Sequence, residues 1–71
     1  MQAFSPSRLT ERRQKRGLSL RELSRETGLS DVGIAYIEKG QKIPRANTLC
    51  KLADALKCRV EYFFVSSNNN R

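Results

Sequence analysis

No histidine occurs among the 71 residues, and cysteine appears only at Cys50 and Cys58. Two lone thiols without histidine make neither a zinc site nor a disulfide framework. A free cysteine is usually a small buried hydrophobe, and a reducing compartment is the corresponding expectation. There is no glycine-rich phosphate loop, and the seven acids are scattered with no pair placed for acid–base work. Enzyme, metal and cofactor functions are therefore not expected. The first six residues, Met1-Gln2-Ala3-Phe4-Ser5-Pro6, lack the apolar core of a secretory signal. The longest run of large apolar residues, 62–65, is far too short to span a bilayer. Together these absences point to a cytoplasmic protein.

Basic residues are what the chain has in excess. Fourteen Lys/Arg face seven Asp/Glu, a net charge of +7. In so short a chain that surplus points to a polyanion, most simply nucleic acid, with an anionic membrane surface as the competing partner. One small domain is expected, and at this size folding hides only about 60 % of the unfolded surface, so each apolar position matters.

Helix punctuation divides the chain. Ser5-Pro6 reads as an N-cap with proline in the first turn, opening a polar helix that runs to about Arg16 and stops at Gly17, with Leu9 its clearest core residue. Ser19-Leu20-Arg21-Glu22 is a capping box, with Leu18 and Leu23 placed as its hydrophobic staple. The helix that follows ends at Gly28, which supplies the left-handed stop. Ser30 caps again, Leu29 and Ile34 form a second staple, and Gly40 ends the third helix. Leu49, Leu52, Ala53 and Leu56 are spaced i, i+3, i+4, i+7 and predict a fourth helix of about three turns. Residues 60–64 fit a short fifth helix or a strand. Residues 66–71 read as a polar, disordered tail after a single domain at 1–65.

Two short helices, Leu20–Thr27 and residues 31–39, joined through Gly28-Leu29-Ser30, form a helix-turn-helix pattern, the unit that places its second helix in the DNA major groove. The string "RGLSLRELSRETGLSDVGIAYIEKGQKIP", followed by "TLCKLADAL" and "VEYFF", closely resembles the Cro/phage-repressor-type (Xre-like) helix-turn-helix family over residues 7–64. The resemblance implies an all-α, compact five-helix, lambda-repressor-like domain with the helix-turn-helix at its second and third helices. It makes residues 60–64 a helix. It also implies a transcriptional regulator, most simply a repressor, of bacterial or phage origin and at work on the nucleoid. Such a protein binds double-stranded operator DNA, usually as a homodimer on palindromic half-sites. An antitoxin or protein-interaction module on the same fold is the alternative.

With Ile34 and Ile37 turned inward at 100° per residue, Val32, Ala35, Tyr36 and Lys39 point outward and Glu38 lies at the core edge. The family reads bases at these outward sites, so Asp31, Val32, Ala35 and Tyr36 are the candidate base-reading residues. Val32 and Ala35 suit thymine methyl groups, and Tyr36 a base edge or a phosphate. Asp31 favours the positive end of the helix dipole or accepts from a cytosine amino group. Gly33 either lets a neighbouring helix approach or clears space for the sugar–phosphate chain.

Ser30, Arg21, Lys39, Lys42, Arg45 and Asn47 are the candidate DNA-backbone contacts. The family usually grips a phosphate with a glutamine where this chain has Leu20, leaving Arg21 as the substitute. Arg45 stands where a capping serine is common, which frees the amides of that helix end for a phosphate. Arg59 likewise replaces a usual capping serine. Lys51, Lys57 and Arg59 read as solvated surface. The resemblance further implies a structural pair between Arg13 and Glu38. Tyr62, Phe63 and Phe64 exceed what a small core needs and are the candidate dimer residues.

Overall fold

The computed structural model describes residues 2–66. Its elements are β1 (Gln2–Phe4), α1 (Pro6–Lys15), α2 (Leu20–Thr27), α3 (Asp31–Glu38), α4 (Ala46–Leu56), a 3₁₀ turn (Val60–Phe63) and β2 (Phe64–Ser66). Of the tail expected to be disordered (66–71), residues 67–71 lie outside the described residues. Ser66 itself closes β2.

The helix starts follow their local chemistry. Ser5 caps α1, its hydroxyl accepting from the Arg8 amide, with Pro6 in the first turn. At α2 both halves of the capping box are present: the Glu22 amide donates to Ser19 Oγ (3.0 Å) and the Ser19 amide donates to Glu22 Oε1 (2.8 Å). That backbone hydrogen bond holds the Glu22 carboxyl below the usual carboxylate range. A lowered folded pKa contributes stability at pH values above the unfolded pKa, and the contribution disappears as acid passes below the folded one. Urea unfolding of wild type and Glu22→Gln should therefore differ at neutral pH and converge in acid. An equal difference at both pH values would contradict the capping role.

The helix-turn-helix elbow is closed by hydroxyls as well as by Gly28, whose φ is +78°. The Leu29 amide donates to Thr27 Oγ1 (3.2 Å), and the Ser24 hydroxyl donates to the Leu29 carbonyl. These bonds leave few ways for α2 and α3 to hinge. Their angle, on which any docking of α3 depends, is built into the turn.

All four helices feed one core of Leu9, Leu23, Ile34, Ile37, Leu49, Leu52, Ala53, Ala55 and Leu56, joined by Phe63. The four-residue stripe of α4 lies within it. Leu18, Leu20 and Leu29 pack half-buried on its edge. Leu20 thus spends its side chain on packing, where a glutamine would have been free to reach outward.

The all-α, five-helix expectation is corrected at both chain ends. Residues 60–64 form neither a regular fifth helix nor a plain strand. The 3₁₀ turn covers Val60–Phe63, and the backbone turns extended at Phe64 (φ −109°, ψ 138°). β2 then pairs antiparallel with β1, Phe4 opposite Phe64 and Gln2 opposite Ser66. Three causes combine. Arg59 makes no side-chain cap, so the turn starts without support. Valine and aromatic residues lose rotamer freedom in a helix. The N-terminal strand offers a ladder, and the Phe4 ring sits 6.2 Å from Phe63 and 6.1 Å from Phe64.

Arginines of α1 tie this end together. Arg8 Nη1 donates to the Tyr62 carbonyl (3.0 Å) with its guanidinium 5.1 Å from the ring centre. Arg12 donates from Nε to the Leu56 carbonyl (2.9 Å) and from Nη2 to the Lys57 carbonyl (3.0 Å). Arg16 Nη2 reaches the Ala55 carbonyl at 3.3 Å. The open carbonyls at the end of α4 thus receive cations, which also suit the negative end of its dipole. Cys58, half-buried beside Arg12, has its thiol pKa pushed up by burial, which outweighs the opposing pull of that charge. Cys50 is exposed, against the expectation of a buried hydrophobe.

Candidate nucleic-acid interface

α3 begins at Ser30, whose hydroxyl accepts from the Gly33 amide (2.9 Å). Asp31 adds a second bond to the same turn, Oδ1 accepting from the Val32 amide (2.8 Å). Its carboxylate is engaged with the helix start, as expected of an acid at the positive end of the dipole. A Cβ at Gly33 would lie 2.9 Å from Ser30 Oγ, a contact that a shift of the hydroxyl relieves, since Ser5 and Ser19 cap Arg8 and Glu22 at the same offset.

Ile34 and Ile37 enter the core and turn the opposite face of α3 to solvent. Val32 is 59 % exposed and Tyr36 47 % exposed, with Ala35 half-buried between them. The helix ends at Glu38, with Lys39 as its C-cap rather than its last turn. Glu38 holds α3 to α1 through a two-pronged pair: Arg13 Nε to Oε2 at 2.7 Å and Arg13 Nη2 to Oε1 at 3.0 Å. Arg13 Nη1 also donates to the Leu18 carbonyl (2.9 Å). The side chains are only 14 % and 10 % exposed. The bond to Glu38 raises the Arg13 pKa, against the opposing effect of partial burial.

Beside this face runs an open groove of about 400 Å³, between the start of α3 and the start of α4. Ser30 and Gly33 line one side, and Lys42, Arg45, Asn47 and Lys51 the other. Arg45 is the N-cap of α4 and makes no side-chain cap, so the first-turn amides of α4 have no side chain upon them. The structure thus gathers Ser30, Lys42, Arg45 and Asn47. Arg21 and Lys39 are exposed but do not line this groove. Lys51, read from sequence as plain surface, does line it. The available signal was its i, i+4 spacing from Asn47.

The aromatic trio separates. Phe63 is fully buried and belongs to the core, so it is withdrawn as a dimer residue. Tyr62 is half-buried beneath Arg8 and Arg12. Phe64 is half-buried and lines a second, more apolar groove. Among the described residues no group of three His, Cys, Asp or Glu could hold a metal ion. No described helix is long and apolar enough to cross a membrane.

The helix-turn-helix family model HTH_3 matches residues 9–63. The chain belongs to this family. No curated protein sequence matches it. Among solved structures, this helix-turn-helix protein is similar to the DNA-binding domain (1–76) of the P22 c2 repressor: 28 % identity, 86 % of this chain and 80 % of that one, TM-score 0.80. It is also similar to the P22 c2 repressor in complex with synthetic operator 9T: 28 % identity, 86 % and 92 % coverage, TM-score 0.79. The restriction–modification controller protein C.AhdI from Aeromonas hydrophila aligns at 31 % identity, 82 % and 88 % coverage, TM-score 0.79.

Proposed function

We propose that this protein is a sequence-specific double-stranded DNA-binding transcriptional regulator, acting as a repressor, with α3 in the major groove. The observation that carries this reading is the uncovered face of α3, where Val32 and Tyr36 stand exposed beside a groove edged by Lys42, Arg45 and Lys51. An apolar face next to cations suits a duplex, which presents thymine methyls and base edges between rails of phosphate.

In this reading Val32 and Ala35 meet thymine methyls, and Tyr36 donates to a base edge or a phosphate. Asp31 keeps one carboxylate oxygen for a cytosine amino group while the other holds the Val32 amide. Ser30, Lys42, Arg45, Asn47 and Lys51 track one phosphate chain along the groove, and Arg21 and Lys39 reach phosphates outside it. The uncapped start of α4 offers its amides to the same chain. The protein acts by binding rather than by catalysis, in the cytoplasm. Two copies occupy palindromic half-sites whose centres lie roughly 34–36 Å apart, one turn of DNA.

Selection from random duplexes, followed by titration of variants, tests it. On the selected site Val32→Ala and Tyr36→Ala should each cost about 1–3 kcal/mol, with little effect on random DNA. Arg45→Ala should weaken both alike. Selected-site affinity unchanged in both α3 variants would exclude α3 as the reading helix.

A further inference from the structure

α3, Asp31-Val32-Gly33-Ile34-Ala35-Tyr36-Ile37-Glu38, contains no arginine, lysine, asparagine or glutamine. Guanine is ordinarily read by a cation forked across O6 and N7, and adenine by a side-chain amide across N7 and N6. Neither pairing is open to this helix, so its reading falls on pyrimidine edges. There it carries two neighbouring groups of opposite character. Asp31 is the first residue of α3 and Val32 the second, and the first turn of a recognition helix is the part that reaches base edges. The Asp31 carboxylate is tied to the Val32 backbone, Oδ1 accepting from its amide at 2.8 Å. Among the described residues its other oxygen, Oδ2, has no hydrogen-bond or ion-pair partner. The next side chain, Val32, stands exposed in water.

An acceptor followed by an apolar surface is the complement of one base edge. Thymine carries a methyl at C5 but sets its O4 acceptor against the carboxylate, where two acceptors repel and neither is satisfied. Plain cytosine offers the carboxylate its N4 amino group and leaves Val32 against a bare ring carbon. 5-Methylcytosine supplies both partners, an amino group and a methyl on adjacent ring atoms.

We propose that the Asp31–Val32 pair reads 5-methylcytosine in the major groove, so that methylation of the site at cytosine C5 tightens binding. The inference rests on the placing of α3 in DNA and refines it: where Asp31 and Val32 face the same base, the methyl is that of 5-methylcytosine, and thymine serves the contacts of Ala35 and Tyr36. The gain has two separable parts. Covering the methyl with Val32 resembles burying one methylene, about fourfold in affinity. Giving the carboxylate a donor in place of an opposing carbonyl gains a charged hydrogen bond, about tenfold or more. Both are differences between bases in the same duplex, so they persist when salt weakens the phosphate contacts common to all.

Selection of the full chain from two random duplex libraries, one synthesised with 5-methylcytosine in place of cytosine, gives the site. Anisotropy titration then places cytosine, 5-methylcytosine, thymine or uracil at each pyrimidine of the consensus in turn. Wild type, Val32→Ala and Asp31→Asn are measured on all four, with circular dichroism as the check on folding. Each ratio is compared across proteins, so the change of paired purine between cytosine and thymine cancels. At one position 5-methylcytosine should bind tightest, about fourfold over cytosine and about tenfold or more over thymine. Val32→Ala should shrink the first ratio and keep the second. Asp31→Asn, whose amide donates to O4 as readily as it accepts from N4, should bring the second ratio close to one and keep the first. Thymine or unmethylated cytosine tightest at every position, or a methylated library that yields no cytosine, would overturn the proposal and leave the DNA reading standing. Ratios unchanged in either variant would overturn it in the same way. Absence of duplex binding in every form at low salt would sink the DNA reading and this inference with it.

Discussion

Replacing Phe63 with alanine should destabilise the folded chain by about 3–5 kcal/mol, the range for deleting a fully buried aromatic side chain. Phe63 has no exposed surface, and its neighbours on the core include Phe4 on β1 and Tyr62 beside it in the 3₁₀ turn. It fastens the 3₁₀ turn and both strands onto the helices. The Ser5 amide donates to its carbonyl at 2.7 Å, which ties the start of α1 to the same point. A domain of this size has roughly 4–10 kcal/mol of total stability at ~0.05–0.15 kcal/mol per residue, so Phe63→Ala should be largely unfolded near body temperature. Phe63→Leu keeps most of the volume and should remain foldable at a smaller cost. Urea unfolding at low and high protein concentration separates the roles. A core residue gives a loss independent of concentration. A loss that vanishes in dilute solution would return Phe63 to an interface.

Removing Glu38 should be nearly as damaging. In Glu38→Ala the Arg13 guanidinium, mostly shielded from water, keeps only the Leu18 carbonyl as partner. Stranding one half of a buried pair costs about 3–5 kcal/mol, and the residual exposure here places the expectation at the lower end, about 3. For a domain of 60–100 residues each kcal/mol shifts Tm by about 4–8 °C, so a fall of at least ~12 °C should appear by calorimetry. Replacing both partners, Arg13→Met with Glu38→Leu, removes the stranded charge and should cost less than Glu38→Ala alone. A double variant worse than the single one would show that the pair contributes net stability beyond avoiding an unpaired charge. Because the pair joins α1 to the last residue of α3, its loss should also loosen the helix that the functional reading places in DNA.

How much of this was legible in sequence depended on how local the cause was. Ser19, Glu22 and Gly28 bound α2 because capping and a left-handed stop involve neighbours along the chain. Ser30 and the α4 stripe were readable for the same reason. The β1–β2 pairing was not, since nothing near Gln2 or Val65 announces a partner at the opposite end of the chain. Phe63 and Phe64 look equivalent as letters, and only the switch from 3₁₀ to extended backbone between them sends one into the core and leaves the other at a groove. The basic surplus was correctly weighted as a whole but not divisible: Arg8, Arg12, Arg13 and Arg16 are committed to carbonyls or to Glu38, whereas Lys42, Arg45 and Lys51 line an open groove.

The most direct test of the central claim is a fluorescence-anisotropy titration of a labelled random duplex at several salt concentrations. Each neutralised phosphate contributes a slope of about −0.9 to log affinity against log salt. With Lys42, Arg45 and Lys51 in the groove and Arg21 and Lys39 outside it, the slope should be about −4.5. That corresponds to a loss of roughly 500-fold from 50 to 200 mM salt. Absence of binding at low salt, or an affinity indifferent to salt, would contradict the account.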